Sequence, residues 1–165
     1  MRVLLQLLLL LLGGTLYAQV QASAKFEAHV QVVEPIRIEK AMDLRFGNVF
    51  TAFGSGNLVL SPDGIRTANG VEIADYLAGT VSPAEAVVTH SNNSYTVNLP
   101  GSIILINENN PNEVIEVNEF TLDREENLVG GKDVLRIGAT LRLKADQQAG
   151  IYTDQEGFRI TVSYN

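Results

Sequence analysis

From Leu135 to Lys144 apolar and polar positions alternate without a slip. Leu135, Ile137, Ala139, Leu141 and Leu143 share one parity, and Arg136, Gly138, Thr140, Arg142 and Lys144 share the other. A period of two sets one side against a core and the other in water, so the pattern predicts a β-strand. Phe158, Ile160, Val162 and Tyr164 repeat it against Arg159, Thr161 and Ser163. The stretch between them, Ala145–Gly150, has the composition of a turn, which predicts a two-stranded ribbon closing the chain. Near the other end Phe26, Ala28, Val30 and Val32 alternate with Glu27, His29 and Gln31. A strand is expected over Lys25–Glu34, interrupted at Pro35, which cannot donate to a ladder.

Shorter patterns fill the middle. Ile36 and Ile38 resume briefly, and Leu44 and Phe46 lead into Gly47-Asn48, where a glycine after an inward aromatic predicts a bulge or close backbone packing. Thr51–Gly56 is a glycine-rich loop. Asn57–Ser61 and Ile65–Ala68 flank Pro62-Asp63-Gly64, a turn in which proline presets φ and glycine supplies the positive-φ position. Asn69-Gly70 is a second turn, followed by a short strand over Val71–Asp75. Tyr76–Glu85 has the make-up of a crossing loop with one helical turn. Ala86–Thr89 and Tyr95–Leu99 are expected to form a hairpin about His90–Ser94. Ile103–Ile106 predicts a buried strand, Asn107–Asn112 a loop, Val114–Leu122 a strand, and Asp123–Lys132 a charged loop. Eight to ten short strands with regular turn signals and no amphipathic helix predict an all-β, antiparallel β-sandwich, with a small barrel as the rival.

The amino terminus departs from this pattern. Val3–Leu12 is a leucine run broken only by Gln6, preceded by Arg2 and ended by Gly13-Gly14, with small residues at Ala18 and at Ala22-Ser23-Ala24. This predicts a secretory signal peptide over residues 1–24, cleaved after Ala18 or Ala24. The run falls short of the roughly 20 apolar residues that span a bilayer, so no integral membrane segment is expected after cleavage. Residues 25–165 then form one domain, exported to the periplasm, the cell surface or the medium. The chain has no cysteine, which excludes disulfides, thiol nucleophiles and cysteine-ligated metals. Its net charge of −7 makes nucleic acid and anionic membranes poor partners.

The search for chemistry returns little. His29 lies on the outward parity of its strand and His90 opens a loop, and neither has a second histidine at a metal-ligand spacing, so both are expected to be solvated. Asp123, Glu125, Glu126, Glu108 and Glu113 fall in loops without the register of a calcium site or the opposed pair of a glycosidase. Gly54-Ser55-Gly56 resembles a nucleophile elbow only in composition, and Gly130-Gly131-Lys132 precedes a strand rather than a helix. Asn92-Asn93-Ser94 matches a glycosylation sequon but has the composition of a turn. No catalytic residue, metal ligand or cofactor is assigned, and no enzyme is expected.

Several stretches carry a resemblance. Gly138-Ala139-Thr140-Leu141, Ala149-Gly150-Ile151-Tyr152-Thr153-Asp154 and Ile160-Thr161-Val162-Ser163-Tyr164 resemble the ending of exported bacterial pilin-like domains. Leu44–Val49 and Tyr95–Pro100 resemble an early Phe-Gly motif and a central tyrosine strand of the same group. The resemblance is to an uncharacterised family of exported bacterial domains similar to the spore coat protein U family and, more remotely, to chaperone–usher pilins. It implies an immunoglobulin-like sandwich and a structural or adhesive role at the cell surface. It also implies assembly with pilus-like subunits or copies of itself, and a periplasmic chaperone. In such pilins an alternating amino-terminal arm completes a neighbour's sheet, a role for which Phe26, Ala28, Val30 and Val32 have the right pattern. Phe158, Ile160, Val162 and Tyr164 would be the carboxy-terminal recognition strand. The plainer and favoured reading of Phe26–Val32 is an ordinary strand of its own domain. The alternative function is a carbohydrate- or protein-binding module, with Phe53 and Tyr76 as the aromatic candidates.

Overall fold

A computed structural model describes residues 21–50, 54–91, 94–126 and 130–165. Most of the signal-peptide segment, Phe53 and the asparagines of the Asn92-Asn93-Ser94 sequon lie outside these residues. Residues Val33–Asn165 form one compact unit, and the chain up to Val32 forms another.

Among its described residues the compact unit holds twelve strands: β1 (Arg37–Met42), β2 (Arg45–Phe46), β3 (Gly56–Leu60), β4 (Arg66–Asn69), β5 (Val81–Ser82), β6 (Ala84–Thr89), β7 (Tyr95–Asn98), β8 (Ser102–Asn107), β9 (Asn110–Glu125), β10 (Lys132–Leu143), β11 (Tyr152–Thr153) and β12 (Thr161–Tyr164). The only helical element among the described residues is a 3-10 turn at Asp75–Leu77, the single turn expected in that crossing loop. All pairing is antiparallel. The main sheet runs β1-β6-β10-β9-β8-β11, with β3 and β4 attached to β10, while β12-β7 and β2-β5 are separate pairs. This is an all-β fold of the antiparallel β-sandwich class.

Strand β10 organises it. On one edge it pairs with β9 along most of its length. Its other edge is divided: Lys132–Ile137 pair with β6, and Ala139–Leu143 pair with β3. Gly138 sits at the fork. A side chain there would press into the backbone of Leu60, Ser61 and Pro62, so only glycine lets β3 leave and β6 begin. Opposite the fork β9 slips register, and Glu119 adopts a positive φ of 50°, as at a bulge.

The inward parity of β10 feeds two cores. Leu135 and Ile137, both fully buried, pack with Ala84, Val88 and Tyr95. Ala139, Leu141 and Leu143 pack with Phe46, Leu58, Leu60, Val71, Ile115 and Val117. Leu44 and Phe120 touch both clusters. Gly138 and Thr140 are buried as well, against the expectation from their parity, because the fork is covered on that side.

Other differences concern partners rather than faces. β10 and β12 do not form a ribbon: β12 pairs with β7, and β11 lies between them in the chain and pairs with β8. Likewise β6 and β7 are no hairpin, because His90–Ser94 carries the chain from the main sheet to the β7–β12 pair. Val71–Asp75 contributes one isolated bridge, Phe50 to Glu72, instead of a strand. Ile103–Ile106 is only part-buried, with Ile104 47% exposed, because β8 presents a face to solvent. β9 extends through what was expected to be loop at both ends, reaching Glu125. Gly47 is as tightly packed as expected, with φ 73° and a Cβ position blocked by Ala78 O and Val81.

The strand expected at Lys25–Glu34 is not formed. These residues carry no secondary structure and every one is exposed, with Phe26, Val30 and Val32 at 88–89%. The alternation is there, but among the described residues no strand supplies the ladder that a strand needs.

Candidate interaction surface

Edge strands with unpaired backbone groups are where a sheet can take on another chain. Among the described residues β1 bonds only β6, and β12 bonds only β7. Between β1 and the segment entering β12 lies a cavity of about 420 Å³. Ile38 and Met42 line one bank, Phe158 and Ile160 the other, together with Ala84 and Ala86 of β6. At one end the banks are tied: the Tyr164 phenol donates to Glu34 O at 3.1 Å and accepts from Ser91 N–H at 2.9 Å. Its oxygen also lies 3.0 Å from Ser91 Oγ. Tyr164 therefore joins the start of the compact unit, the β6–β7 crossing and the last strand through one oxygen.

Phe158, Ile160, Val162 and Tyr164, singled out in the sequence, come together on the second core, part-buried, with the Phe158 ring 5.5 Å from that of Phe120. Only Thr161–Tyr164 is strand, and Phe158–Ile160 runs alongside the cavity. Phe26, Ala28, Val30 and Val32 are exposed in the other unit. His29 is solvated as expected, beside Glu27 at 3.5 Å.

His90 is not solvated. Its side chain is 13% exposed and its Nε2 lies 3.2 Å from Asp133 Oδ2, an ion-pair distance without hydrogen-bond alignment. Its Nδ1 is 2.7 Å from Ser91 O. The Tyr95 hydroxyl donates to the same Asp133 oxygen at 2.7 Å. The Arg124 guanidinium lies over the Tyr95 ring, 4.3 Å from its centre, and the His90 ring lies 4.9 Å away. The signal for this cluster was present in the sequence. Asp133 shares the inward parity of Leu135 and Ile137, and a carboxylate on a buried face requires partners. The arrangement does not build a nucleophile: the ring nitrogens of His90 face a carboxylate and a backbone carbonyl, and Ser91 Oγ turns to Tyr164. What it does is pin the crossing between the two sheets.

Burial, and then the hydrogen bond to Asp133, raise the Tyr95 phenol well above its ordinary value of 10.0. A raised acid favours its neutral form in the folded state. Its contribution is whole below pH 10 and is lost as pH climbs through the raised value. Urea unfolding at rising pH should show stability falling above about pH 10 in the native chain, and Tyr95→Phe should flatten that alkaline slope. An equally steep slope in the variant would assign it to other groups.

The outer faces carry ion pairs: Arg136 with Glu125 at 2.8 Å, Arg142 with Glu119 at 2.7 Å and Lys144 with Glu113 at 2.8 Å. The hydrogen bond to Glu125 raises Arg136, and that to Lys40 lowers Asp43. Such solvent-screened pairs each contribute little. Among the described residues no three histidine, aspartate or glutamate side chains are placed to hold a metal, and no helix is long and apolar enough to cross a membrane.

An antiparallel β-sandwich-class domain with open edges and a buried polar pin is the class that the fold defines. Residues 36–164 match the family described as Domain of unknown function (DUF4402), and the chain belongs to that family. No curated protein and no solved structure matches it.

Proposed function

We propose that this protein is an exported, non-catalytic structural or adhesive subunit, similar in type to spore coat protein U and pilin domains, that assembles by strand addition. One observation carries the reading. Phe26, Ala28, Val30 and Val32 alternate as a half-buried strand does, yet Phe26, Val30 and Val32 are close to fully exposed, with no partner strand among the described residues. Exposing such a segment is unfavourable, at about 25 cal/mol per Å² of apolar surface, and pairing with another sheet removes the cost. The leucine-rich leader and the pilin-like ending of the sequence support export and surface assembly.

Cell fractionation and size-exclusion chromatography test it. The chain should appear outside the inner membrane as concentration-dependent multimers that heating dissociates, and Val30→Asp with Val32→Asp should leave folded monomers. A native chain that stays monomeric at every concentration, or stays in the cytoplasm, would overturn the reading.

A second reading, a carbohydrate- or protein-binding module, has its own observation. Tyr76 is 87% exposed on the 3-10 turn, which Asn48 holds through Leu77 O at 2.9 Å. An aromatic face on a fixed turn suits stacking on a sugar. Loss of glycan-array binding in Tyr76→Ala would favour this reading over assembly.

A further inference from the structure

Strand β8 runs along an open edge of the main sheet. β11 covers that edge only at Ile106 and Asn107, with Glu108 N–H donating to Ile151 O at 2.9 Å just beyond. The covering strand then stops because Asp154 turns the chain away, its carboxylate accepting from Glu156 N–H at 3.2 Å and Gly157 N–H at 3.1 Å. Among the described residues Ser102–Leu105 meet no strand on that side. We infer that this edge docks the same edge of a second copy, the two β8 strands pairing antiparallel across a two-fold axis. The contact lies within the Val33–Asn165 unit, uses neither the arm nor the cavity beside β1, and goes beyond the strand-addition reading.

The chemistry of the edge singles it out. Open edges are ordinarily protected by charge, proline, bulges or brevity. In the main sheet β1 carries Arg37, Glu39 and Lys40 and a register slip between Lys40 and Met42. β4 carries Arg66, and β11 is two residues long. The far half of β9, past the end of β8, carries Asp123, Arg124 and Glu125. Ser102–Leu105 has none of these protections, and Ile103, Ile104 and Leu105 make it aliphatic on both faces. The core is also unfinished there. Val117 and Ile115 are buried, yet Ile103 and Leu105, opposite them on the same inward face, are only part-buried in the outermost row. On the outward face Ile104 is 47% exposed and Val114 41%. A strand laid beside β8 supplies the missing ladder and covers both rows.

Self-complementarity makes the occupant another copy. Residues directly opposite in an antiparallel pair share a face, so a two-fold axis perpendicular to the sheet must match like parities. An axis at Ile103 sets Ile103 against its counterpart, Ser102 against Ile104 and Gly101 against Leu105, and it leaves Ile106 to β11. Gly101 has open space around its Cβ position, so the end of the pair is unobstructed. Charge permits the match although each chain carries −7. On the outward face Glu116 stands across β9 from Ile104. The two Glu116 side chains would lie three strand spacings apart, about 14 Å, beyond a Debye length of about 8 Å. A partner drawn by the acidic charge of the chain would need an acid at the contact, and Gly101–Leu105 offers none.

So short a pair is weak, and chromatography of the arm-charged chain, which dilutes the sample, should still show monomers. Sedimentation equilibrium of the full chain carrying Val30→Asp and Val32→Asp, from micromolar to millimolar concentration, tests the edge with the arm out of play. Monomer and dimer should exchange in that range. Adding Ile104→Lys, or Ser102→Lys at the exposed neighbouring position, should raise the dissociation constant at least about tenfold. Leu122→Lys, 37% exposed on β9 past the end of β8, should leave it unchanged. Mixing I104K with I104E should restore a dimer holding one of each, because opposite charges then meet diagonally across the axis. A chain monomeric to millimolar concentration, equal weakening by I104K and L122K, or no mixed dimer from the charge pair would overturn the edge. Native multimers without this dimer would leave strand addition standing. This dimer, with a native chain that forms nothing larger, would overturn strand addition and keep the edge.

Discussion

A Gly138→Ala chain should lose more than about 3 kcal/mol of stability, at or above the upper end of what overpacked cores cost. The added methyl has no flexible neighbour to displace. It meets the backbone of Leu60, Ser61 and Pro62, which are fixed by the β3–β10 ladder and by the turn in which Gly64 N–H donates to Ser61 O at 2.9 Å. Relief requires β3 to detach from Ala139–Leu143, and with it Leu58 and Leu60, both fully buried in the first core. Chemical denaturation followed by near-ultraviolet circular dichroism measures this. A Gly138→Ala chain within about 1 kcal/mol of native would mean that the fork is not a fixed point of the fold.

Leu135→Ala should cost about 3–5 kcal/mol, in the upper part of the range for a leucine removed from a rigid core. Leu135 is fully buried in the second core, between β6 and β9 in the sheet. Because β10 runs through both cores, the loss should not stay local. Unfolding of Leu135→Ala should remain a single transition, the same whether followed by a reporter in the first core or in the second. Two separated transitions would show that the clusters around Leu58 and around Leu135 fold as independent units, with β10 a mere tether.

The faces of the strands were legible in the sequence, and their neighbours were not. Alternation in β10 assigns Leu135, Ile137, Ala139, Leu141 and Leu143 to the core, and all five are buried. Periodicity reports which side of a ribbon is dry, but it carries no information about which ribbon lies alongside. The chain order therefore suggested a β10–β12 pair, and the structure gives β12 to β7. Local chemistry did better where it acts locally: Gly47, Gly64 and Gly70 all take the positive φ that their turns require. The arm shows the limit most clearly, since Phe26–Val32 has a strand's pattern and is no strand without a partner. Phe158, Ile160, Val162 and Tyr164 were readable as one apolar parity, while the His90–Asp133–Tyr95 pin was hidden because its members stand 43 positions apart at the extremes, His90 to Asp133. Only the inward parity of Asp133 betrays it.

The divided edge of β10 also sets a timetable. β3 and β6, its two partners on that edge, emerge early, and β10 itself is made only after most of the chain. Contacts that join distant positions close slowly, because the intervening loop must first be drawn together. Until the ribosome has released residues 132–143 neither core has its central strand, so a growing chain remains loose and threadable, and the native body locks in a late step.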